Sequence, residues 1–230
     1  VSAAGASPHN LRISVNMDSN TFAITIGRQL GSGGRAVGER IARRLGVRFC
    51  DRQLINLAAE QSGLCSEFFE RADEKRSRGL FSALIGYLRA PFAGDDAVAG
   101  NVLSGETLFK IQSDVIRELA SRESCVFVGR CADYVLRDHP RRLDVFVSAS
   151  RAARCERLCR LHGIAPAEAE AMMDREDARR AAYYDYYNSR GRWGRAATYH
   201  LCIDSSVLGI EGTADCVLGF AARKLGLTIE

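Results

Sequence analysis

The stretch that most constrains the fold of this chain is residues 22–46, which read as a strand, a glycine-rich loop and a helix. The apolar run from Phe22 to Ile26 is typical of a central strand in a parallel sheet. A helix closed by Gly46 is predicted next, because apolar residues recur every four positions, at Val37, Ile41 and Leu45. The loop between strand and helix holds three glycines within four residues, Gly31, Gly33 and Gly34. Glycines let backbone N–H groups turn toward an anion at a helix N-terminus, so the stretch predicts a phosphate-binding loop.

The loop differs from the standard G-x-x-x-x-G-K-[ST] motif, whose lysine contacts phosphates and whose hydroxyl binds Mg²⁺. With Gly33 as the second glycine, the lysine position holds Gly34 and the hydroxyl position Arg35. With Gly34 as the second glycine, Arg35 takes the lysine position and Ala36 the hydroxyl position. No lysine lies nearby, and the fork geometry of arginine suits phosphate, so Arg35 is the candidate substitute. The alternative is a tight turn that binds nothing.

The composition sets limits on the class of protein. At 230 residues and 47% hydrophobic, the chain can bury a core as one domain with an appendage or as two small domains. A net charge of +4 without a polybasic tail indicates neither a nucleic-acid nor a membrane partner. There is no apolar run of about 18 residues and no signal-peptide pattern, and the scattered cysteines suit a reducing cytosol, so we expect a cytoplasmic protein. The polar residues 1–20 are predicted to be a flexible N-terminal extension.

Short buried strands alternate with helices along the chain, which predicts an α/β fold with a parallel sheet. The predicted strands are residues 22–26, 47–51, 125–129, 142–147 and 199–204. The predicted helices include residues 106–122, 132–137, 150–162, 166–188 and 209–225. Residues 79–105 are the least regular part and read as a short helix and a mobile loop over a substrate. The apolar patch from Leu80 to Leu88 would suit burial against a second subunit, which makes a homo-oligomer one option.

Several polar side chains follow predicted strands, at the sheet edge where ligands bind in α/β proteins. Arg130 comes directly after a buried strand, where packing explains it poorly, so a phosphate contact is favoured over an ordinary ion pair. Asp51 either orients the substrate or accepts a proton, or else it is the N-cap of the next helix. Asp133 and residues 204–206 are predicted to lie at the same edge.

The long helix predicted from Pro166 carries an arginine cluster. Arg175 and Arg179 are four residues apart and share a helix face, with Arg180 next to them. Arginines on a mobile helix are what phosphoryl transfer needs, because that reaction depends on positioning and charge neutralisation. The alternative is a solvated charged helix. Four tyrosines follow within residues 183–187, either as packing residues or as platforms for a base.

Taken together, these segments resemble the cytidylate kinase-like family, a branch of the P-loop nucleoside monophosphate kinases. The resemblance spans about residues 22–227 and is carried by five blocks: GRQLGSGGR (27–35), FCDR (49–52), VGRCADY (128–134), AYY to WG (182–194) and YHLCIDSS (199–206). It implies a three-layer P-loop NTPase fold over residues 21–230, with a parallel sheet flanked by helices. It also implies a helical lid at about 166–195 and a helical substrate-covering insertion at about 64–105.

The chain departs from the cytidylate kinases themselves at several functional positions. The loop lysine is missing, and the acid that reads cytosine directly after Gly-Arg is replaced by Cys131, with Asp133 two residues later. Arg52 stands where those enzymes have a serine after the aspartate. In the lid, Arg175 matches an anchoring arginine, whereas Arg179 and Arg180 match the remaining ones only loosely.

The resemblance assigns roles to these positions. The donor phosphates would be bound by Gly31, Ser32, Gly33, Gly34 and Arg35. The acceptor would be bound by Asp51, Arg52, Arg130, Asp133 and Arg180. The catalytic set would be Arg35, Arg175, Arg179 and Asp51. ATP would be the donor, with Mg²⁺ held mostly through water and the nucleotide, since Ser32 is the only nearby loop hydroxyl.

The function predicted from these roles is ATP-dependent phosphoryl transfer to a nucleoside monophosphate, with a CMP- or dCMP-like acceptor. One alternative is a nucleotide-binding or sensing module without catalysis, which the missing lysine favours and the arginine-rich lid disfavours. A second alternative is a kinase of another small metabolite, which the altered base-reading positions leave open.

Overall fold

The structure, a computed structural model, describes residues 13–14, 21–61, 105–189 and 191–229. Its strands are β1 (Ile13–Ser14), β2 (Ala23–Arg28), β3 (Arg48–Cys50), β4 (Cys125–Val128), β5 (Arg142–Ser148), β6 (Leu201–Asp204) and β7 (Thr228–Ile229). Its helices are α1 (Gly34–Leu45), α2 (Arg52–Gln61), α3 (Gly105–Arg122), α4 (Ala132–Val135), α5 (Arg151–His162), α6 (Pro166–Tyr187) and α7 (Ser205–Leu225). Most of the predicted insertion and the patch from Leu80 to Leu88 lie outside the described residues.

Strands β2 to β6 form one parallel sheet in the order β3–β4–β2–β5–β6. The strand predicted as central, β2, pairs with β4 on one side and with β5 on the other. After β2 the chain continues to β3 at one edge, whereas after β4 it continues to β5 on the opposite side of β2. A crevice therefore opens between the carboxyl ends of β2 and β4, which is where α/β folds bind ligands.

Helices cover both faces of the sheet, which confirms the predicted α/β fold. One face packs against α1 and α7, where Ile24 and Ile26 of β2 meet Ile41 and Val217. The other face packs against α3 in a second cluster that includes Ala23. Successive side chains of β2 thus enter opposite cores, as the period of two in a strand requires.

Two details near the ends of the chain were not predicted from the sequence. Within the N-terminal stretch, Ile13 and Ser14 pair antiparallel with β7. Helix α7 begins at Ser205 rather than Gly209, because the Asp204 side chain accepts a hydrogen bond from the N–H of Ser206 and caps the helix there. Gly209, at φ 67°, is a break inside this helix. Among the described helices, none combines the length and apolarity needed to cross a membrane.

Candidate active site

A cavity of about 390 Å³ lies at the carboxyl ends of β2 and β4. Five arginines line it: Arg28, Arg52, Arg130, Arg179 and Arg180. Two carboxylates, Asp133 and Glu176, also line it. Aromatic side chains complete the wall: Tyr183, Tyr184, Trp193 and Tyr199. The excess of guanidinium groups gives the cavity a positive potential, which suits a ligand with phosphate groups.

A left-handed turn after β4 positions Arg130 in this cavity. Gly129, Arg130 and Cys131 have φ values of 79°, 57° and 51°, and the latter two are the non-glycine residues with positive φ in the described chain. Such conformations cost free energy and concentrate at functional sites. The turn sets the Arg130 guanidinium over the ring of Tyr183, 5.5 Å from its centroid. The residue predicted as a phosphate contact is therefore in the cavity wall.

The glycine loop has the backbone geometry of an anion site. Gly31 and Gly33 have φ values of 76° and 79°, and Gly33 is an N-cap without a side-chain hydrogen bond to α1. In the part of the chain that the structure describes, the N–H groups of Gly31 and Gly33 donate to no acceptor. These N–H groups and the open first turn of α1 are available to a phosphate.

The hydroxyl of Ser32 is used within the loop. Ser32 is fully buried, its Oγ donates to the carbonyl of Gln29 at 2.9 Å, and it accepts the N–H of Gly34 at 3.3 Å. The described residues also contain no group of three or more His, Cys, Asp or Glu side chains placed to hold an ion. The side chains of the described residues therefore form no ready-made magnesium cage.

A buried ion pair between α5 and α6 is hydrogen-bonded to the backbone of the glycine loop. The carboxylate of Asp177 accepts the N–H of Leu30 at 2.7 Å and also pairs with Arg154. Arg154 in turn donates through Nε to the carbonyl of Leu30 at 2.7 Å. Leu30 is thus bound through both backbone groups, so α6 and the loop are coupled. Sequence reasoning missed this pair because its partners are 23 residues apart and carry no motif.

The predicted lid arginines lie in two environments. Arg179 and Arg180 line the cavity, and Nη1 of Arg180 is buried, makes no hydrogen bond among the described residues and lies 3.6 Å from Oδ1 of Asp177. Arg175 is outside the cavity lining: its side chain is 62% exposed and its Nε donates to Glu176 at 3.3 Å. The helix therefore brings two of its three predicted arginines to the site.

Asp133 forms a polar wall together with α6. The hydroxyl of Tyr184 donates to Oδ2 of Asp133 and accepts a hydrogen bond from Nδ2 of Asn188 at 2.6 Å. Burial raises the pKa of Asp133 to about 6, with a further contribution from the nearby carboxylate of Asp144. The tyrosine cluster divides accordingly, since Tyr184 lines the cavity whereas Tyr187 stacks on a neighbouring ring of α3.

Arg35 and Asp51 bind each other outside the cavity lining. Nε and Nη2 of Arg35 donate to Oδ2 of Asp51 at 3.0 and 2.8 Å, and the Arg35 side chain is 59% exposed. The other carboxylate oxygen of Asp51 accepts the N–H groups of Gln53 and Leu54, which makes Asp51 the N-cap of α2. The cap fixes the start of α2, where Arg52 lines the cavity. Any role of Arg35 and Asp51 in catalysis stays a prediction.

Arg28 is a charged cavity residue that was not predicted from the sequence. It ends β2, is half-buried, and lines the cavity close to Arg130 and Arg180. Burial and the repulsion of these two arginines lower the pKa of Arg28 to about 9, so it is still protonated at neutral pH. The signal was present, because Arg28 follows a buried strand run just as Arg130 does.

Comparison with solved structures places this architecture among known folds. A crystal structure of an uncharacterized protein from Eubacterium ventriosum matches with a TM-score of 0.64 and 23% identity, covering 87% of this chain and 98% of that chain. A gluconokinase from Sinorhizobium meliloti matches with a TM-score of 0.49 and 16% identity, covering 91% of this chain and 96% of its own. A shikimate kinase from Bacteroides thetaiotaomicron matches with a TM-score of 0.47 and 15% identity, covering 86% and 97%. The first of these likenesses shows the fold.

Comparison of the sequence with protein families gives a more specific result. The model of the cytidylate kinase-like family matches residues 23–207, which is most of the chain and includes the glycine loop, the Arg130 turn and α6. Among proteins with curated descriptions, none matches at a significant level. The family model matches well over half of the chain. The chain therefore belongs to the cytidylate kinase-like family of P-loop proteins and is a nucleotide-dependent kinase.

Proposed function

We propose that this kinase transfers the γ-phosphoryl group of ATP to a nucleoside monophosphate, with a CMP- or dCMP-like acceptor. One observation carries the proposal: the arginine-lined cavity adjoins the glycine loop at the end of β2. A donor on the loop and an acceptor in the cavity would bring their phosphates together between them. The proximity of two bound reactants is itself a large source of rate acceleration.

The donor side consists mainly of backbone. The N–H groups of residues 31–35 and the start of α1 would bind the donor phosphates, as the open N–H groups of Gly31 and Gly33 support. Mg²⁺, when bound to the nucleotide, supplies positive charge at the phosphates. Ser32 turns its hydroxyl to Gln29, which supports a metal held through phosphates and water.

The acceptor side consists of side chains. Arg130, Arg52 and Arg180 would bind the acceptor phosphate, because all three line the cavity. Asp133 would accept a hydrogen bond from the exocyclic amino group of cytosine, as carboxylates do in base recognition. Tyr183 forms part of the same wall and would support the base. This arrangement gives Asp133 the task that the acid directly after Gly-Arg performs in the cytidylate kinases.

The lid helix would stabilise the transferred group. Arg179 and Arg180 are already in the cavity wall and would offset the charge that develops during transfer. Arg175 would contribute only if α6 moved further over the site, because its side chain is largely exposed. Asp51 would act as an orienting group through Arg35 and through the cap of α2.

The test is an ATP/Mg²⁺ turnover assay against a panel of nucleoside monophosphates that includes CMP and dCMP. We expect turnover with a cytosine acceptor. We expect Arg130→Ala to raise the KM of that acceptor by about tenfold to a hundredfold, because a charge-assisted contact to its phosphate is lost. Arg122→Ala is the matched control, since Arg122 lies at the end of α3 with its side chain 73% exposed.

Other outcomes would redirect the proposal. ATP binding without turnover on any acceptor would contradict catalysis and favour the nucleotide-sensing alternative. Turnover with a small hydroxylated metabolite, and with no nucleotide, would favour the second alternative. An Arg130→Ala enzyme with unchanged kinetic constants would remove Arg130 from the acceptor site.

A further inference from the structure

Two departures of the loop from the standard motif are linked. With Gly33 as the second glycine of G-x-x-x-x-G-K, position 28 is that of the first glycine and position 34 is that of the lysine. This chain has Arg28 and Gly34 at those positions. The glycine expected at position 28 is thus at position 34, and the cation expected at position 34 is at position 28.

Side-chain packing explains why the exchange is reciprocal. Arg28 ends β2 and Gly34 begins α1, so the two residues face each other across the mouth of the loop. A Cβ atom built on Gly34 would lie 2.5 Å from Cβ and 3.1 Å from Cγ of Arg28. The first distance is shorter than real Cβ atoms show, so a side chain at position 34 and the stem of Arg28 compete for one volume. Gly34 leaves that volume to Arg28.

A second glycine accommodates the head of the same side chain. A Cβ atom on Gly129 would collide with Nη1 of Arg28, and Gly129 has a φ of 79° that favours glycine independently. The guanidinium of Arg28 therefore reaches from the end of β2 to the turn that carries Arg130. Along this path it lines the cavity.

The charge of Arg28 has no partner within the described chain. Its guanidinium donates no hydrogen bond and forms no ion pair with a described residue. Besides burial, two other arginines, Arg180 and Arg130, lower the pKa of Arg28, and the carboxylates of Asp51 and Asp177 raise it by smaller amounts. A half-buried guanidinium without a bonded carboxylate is unfavourable until an anion binds beside it.

We propose that Arg28 is the catalytic cation of the loop and takes the place of the missing lysine. The proposal rests on the proposed function, since it assigns a residue to that phosphoryl transfer. Arg35, the candidate from sequence, has its guanidinium bound to Asp51 and its side chain largely exposed. Arg28 instead lies between the loop and the acceptor arginines, where the transferred group has to pass.

The chemical step shows what Arg28 contributes. An oxygen of the acceptor phosphate bonds to the γ-phosphorus of ATP, and the bond from that phosphorus to the β–γ bridging oxygen breaks. The electron pair stays on the bridging oxygen, which leaves as part of ADP, and a phosphate acceptor needs to lose no proton. Negative charge accumulates on the bridging oxygen and the transferred group. Arg28 remains protonated throughout and stabilises that charge electrostatically.

The experiment compares Arg28→Gly, Arg28→Lys and the exchanged variant R28G/G34K with the wild-type enzyme. We expect Arg28→Gly to lower kcat by about a hundredfold or more, the range for removing one preorganised charge-stabilising donor. R28K keeps a point charge and should lose less. R28G/G34K restores the standard arrangement and should recover at least about tenfold over R28G. R122A is again the control, and thermal melting checks that each variant is folded.

Several outcomes would overturn the proposal. One is an R28G enzyme with turnover within about threefold of wild type, and another is an exchanged variant no more active than R28G. A loss of turnover in R35A with R28G unaffected would return the role to Arg35. If R28G does not fold, R28K is compared with the exchanged variant, and an exchanged variant that is folded but inactive while R28K is active would overturn the proposal.

If the proposed function is wrong, the variants are compared by nucleotide binding instead of turnover. If the wild-type protein turns over no acceptor, the affinity for the non-hydrolysable analogue AMP-PNP becomes the readout. R28G must then weaken AMP-PNP binding by at least about tenfold, as expected for loss of a charged phosphate contact. An unchanged Kd for AMP-PNP in R28G would overturn the role of Arg28 by itself.

Discussion

Asp133 is the cavity residue whose ionisation changes near physiological pH, because burial raises its pKa to about 6. Above that pH the carboxylate is ionised and accepts hydrogen bonds at both oxygens, one of them from Tyr184. Below it the carboxylic acid becomes a donor and no longer matches an amino group on the base. Recognition of a cytosine acceptor should therefore strengthen as the pH rises through 6.

This reasoning gives a prediction for the acceptor KM. Between about pH 7 and pH 5 the KM of CMP should rise by roughly tenfold in the wild type, since one needed carboxylate is progressively protonated. The Asp133→Asn variant should bind CMP more weakly at neutral pH. Its KM for CMP should lack the part of the pH dependence that comes from Asp133. CMP titrates in the same range, so the measurement is the difference between the two pH profiles. Identical profiles would contradict the role of Asp133.

Some contacts of individual site residues could not be predicted from the sequence. Arg35 is one position beyond Gly34 on α1. Because consecutive residues of a helix point about 100° apart, the side chain of Arg35 lies on a different side of the helix. Periodicity places Arg35 on α1 but does not show that Asp51, sixteen residues later, binds its guanidinium. The position of Arg130 was predictable, because a charged residue directly after a buried strand has few structural reasons to be there.

At the scale of elements, the coupling between α6 and the loop rests on the Arg154–Asp177 pair. Both side chains are largely buried, with 8% and 16% of their surfaces exposed. Breaking a buried pair leaves an uncompensated charge, whereas breaking a surface pair costs little. The same helix offers a surface pair for comparison, Arg151–Asp174, with 51% and 66% exposed.

The prediction compares these two pairs. Asp177→Asn should lower the free energy of unfolding by about 2–4 kcal/mol, because Arg154 stays buried without its carboxylate. Asp174→Asn should lower it by less than about 1 kcal/mol. Urea denaturation of both variants measures the difference. Equal losses would show that the buried Arg154–Asp177 pair stabilises the protein no more than the surface pair does.

At the scale of the whole molecule, the sheet was predictable and the assembly of the site only partly so. The strand at residues 22–26, the glycine loop and the four-residue apolar spacing of α1 determine a βα unit by local rules alone. The parallel sheet then brings the ends of β2 and β4 together, which places Arg130 and Asp133 in one cavity. Pairs such as Arg154–Asp177 depend on how distant helices pack, and no local pattern encodes them.

The cavity's charge also acts on the molecule as a whole. Five arginines against two carboxylates give it a positive potential that attracts nucleotides from solution. Salt screens such attraction, so kcat/KM for both substrates should fall by roughly tenfold between about 0.05 and 0.5 M KCl. Arg52→Ala should have a lower kcat/KM at low salt and a weaker dependence on KCl. A salt-independent kcat/KM would contradict this electrostatic contribution.

The pairing of Arg28 with Gly34 has a consequence for how such an enzyme is detected. Chemical probes that deliver an acyl group from a nucleotide phosphate label the amine of a loop lysine, and none of the described residues lining this cavity is a lysine. Proteome-wide surveys with those probes would therefore find no lysine to label among the described residues of this cavity, even when the enzyme is active. Dicarbonyl reagents such as phenylglyoxal, which react with guanidinium groups, are suited to it, and bound nucleotide should shield the reactive side chain.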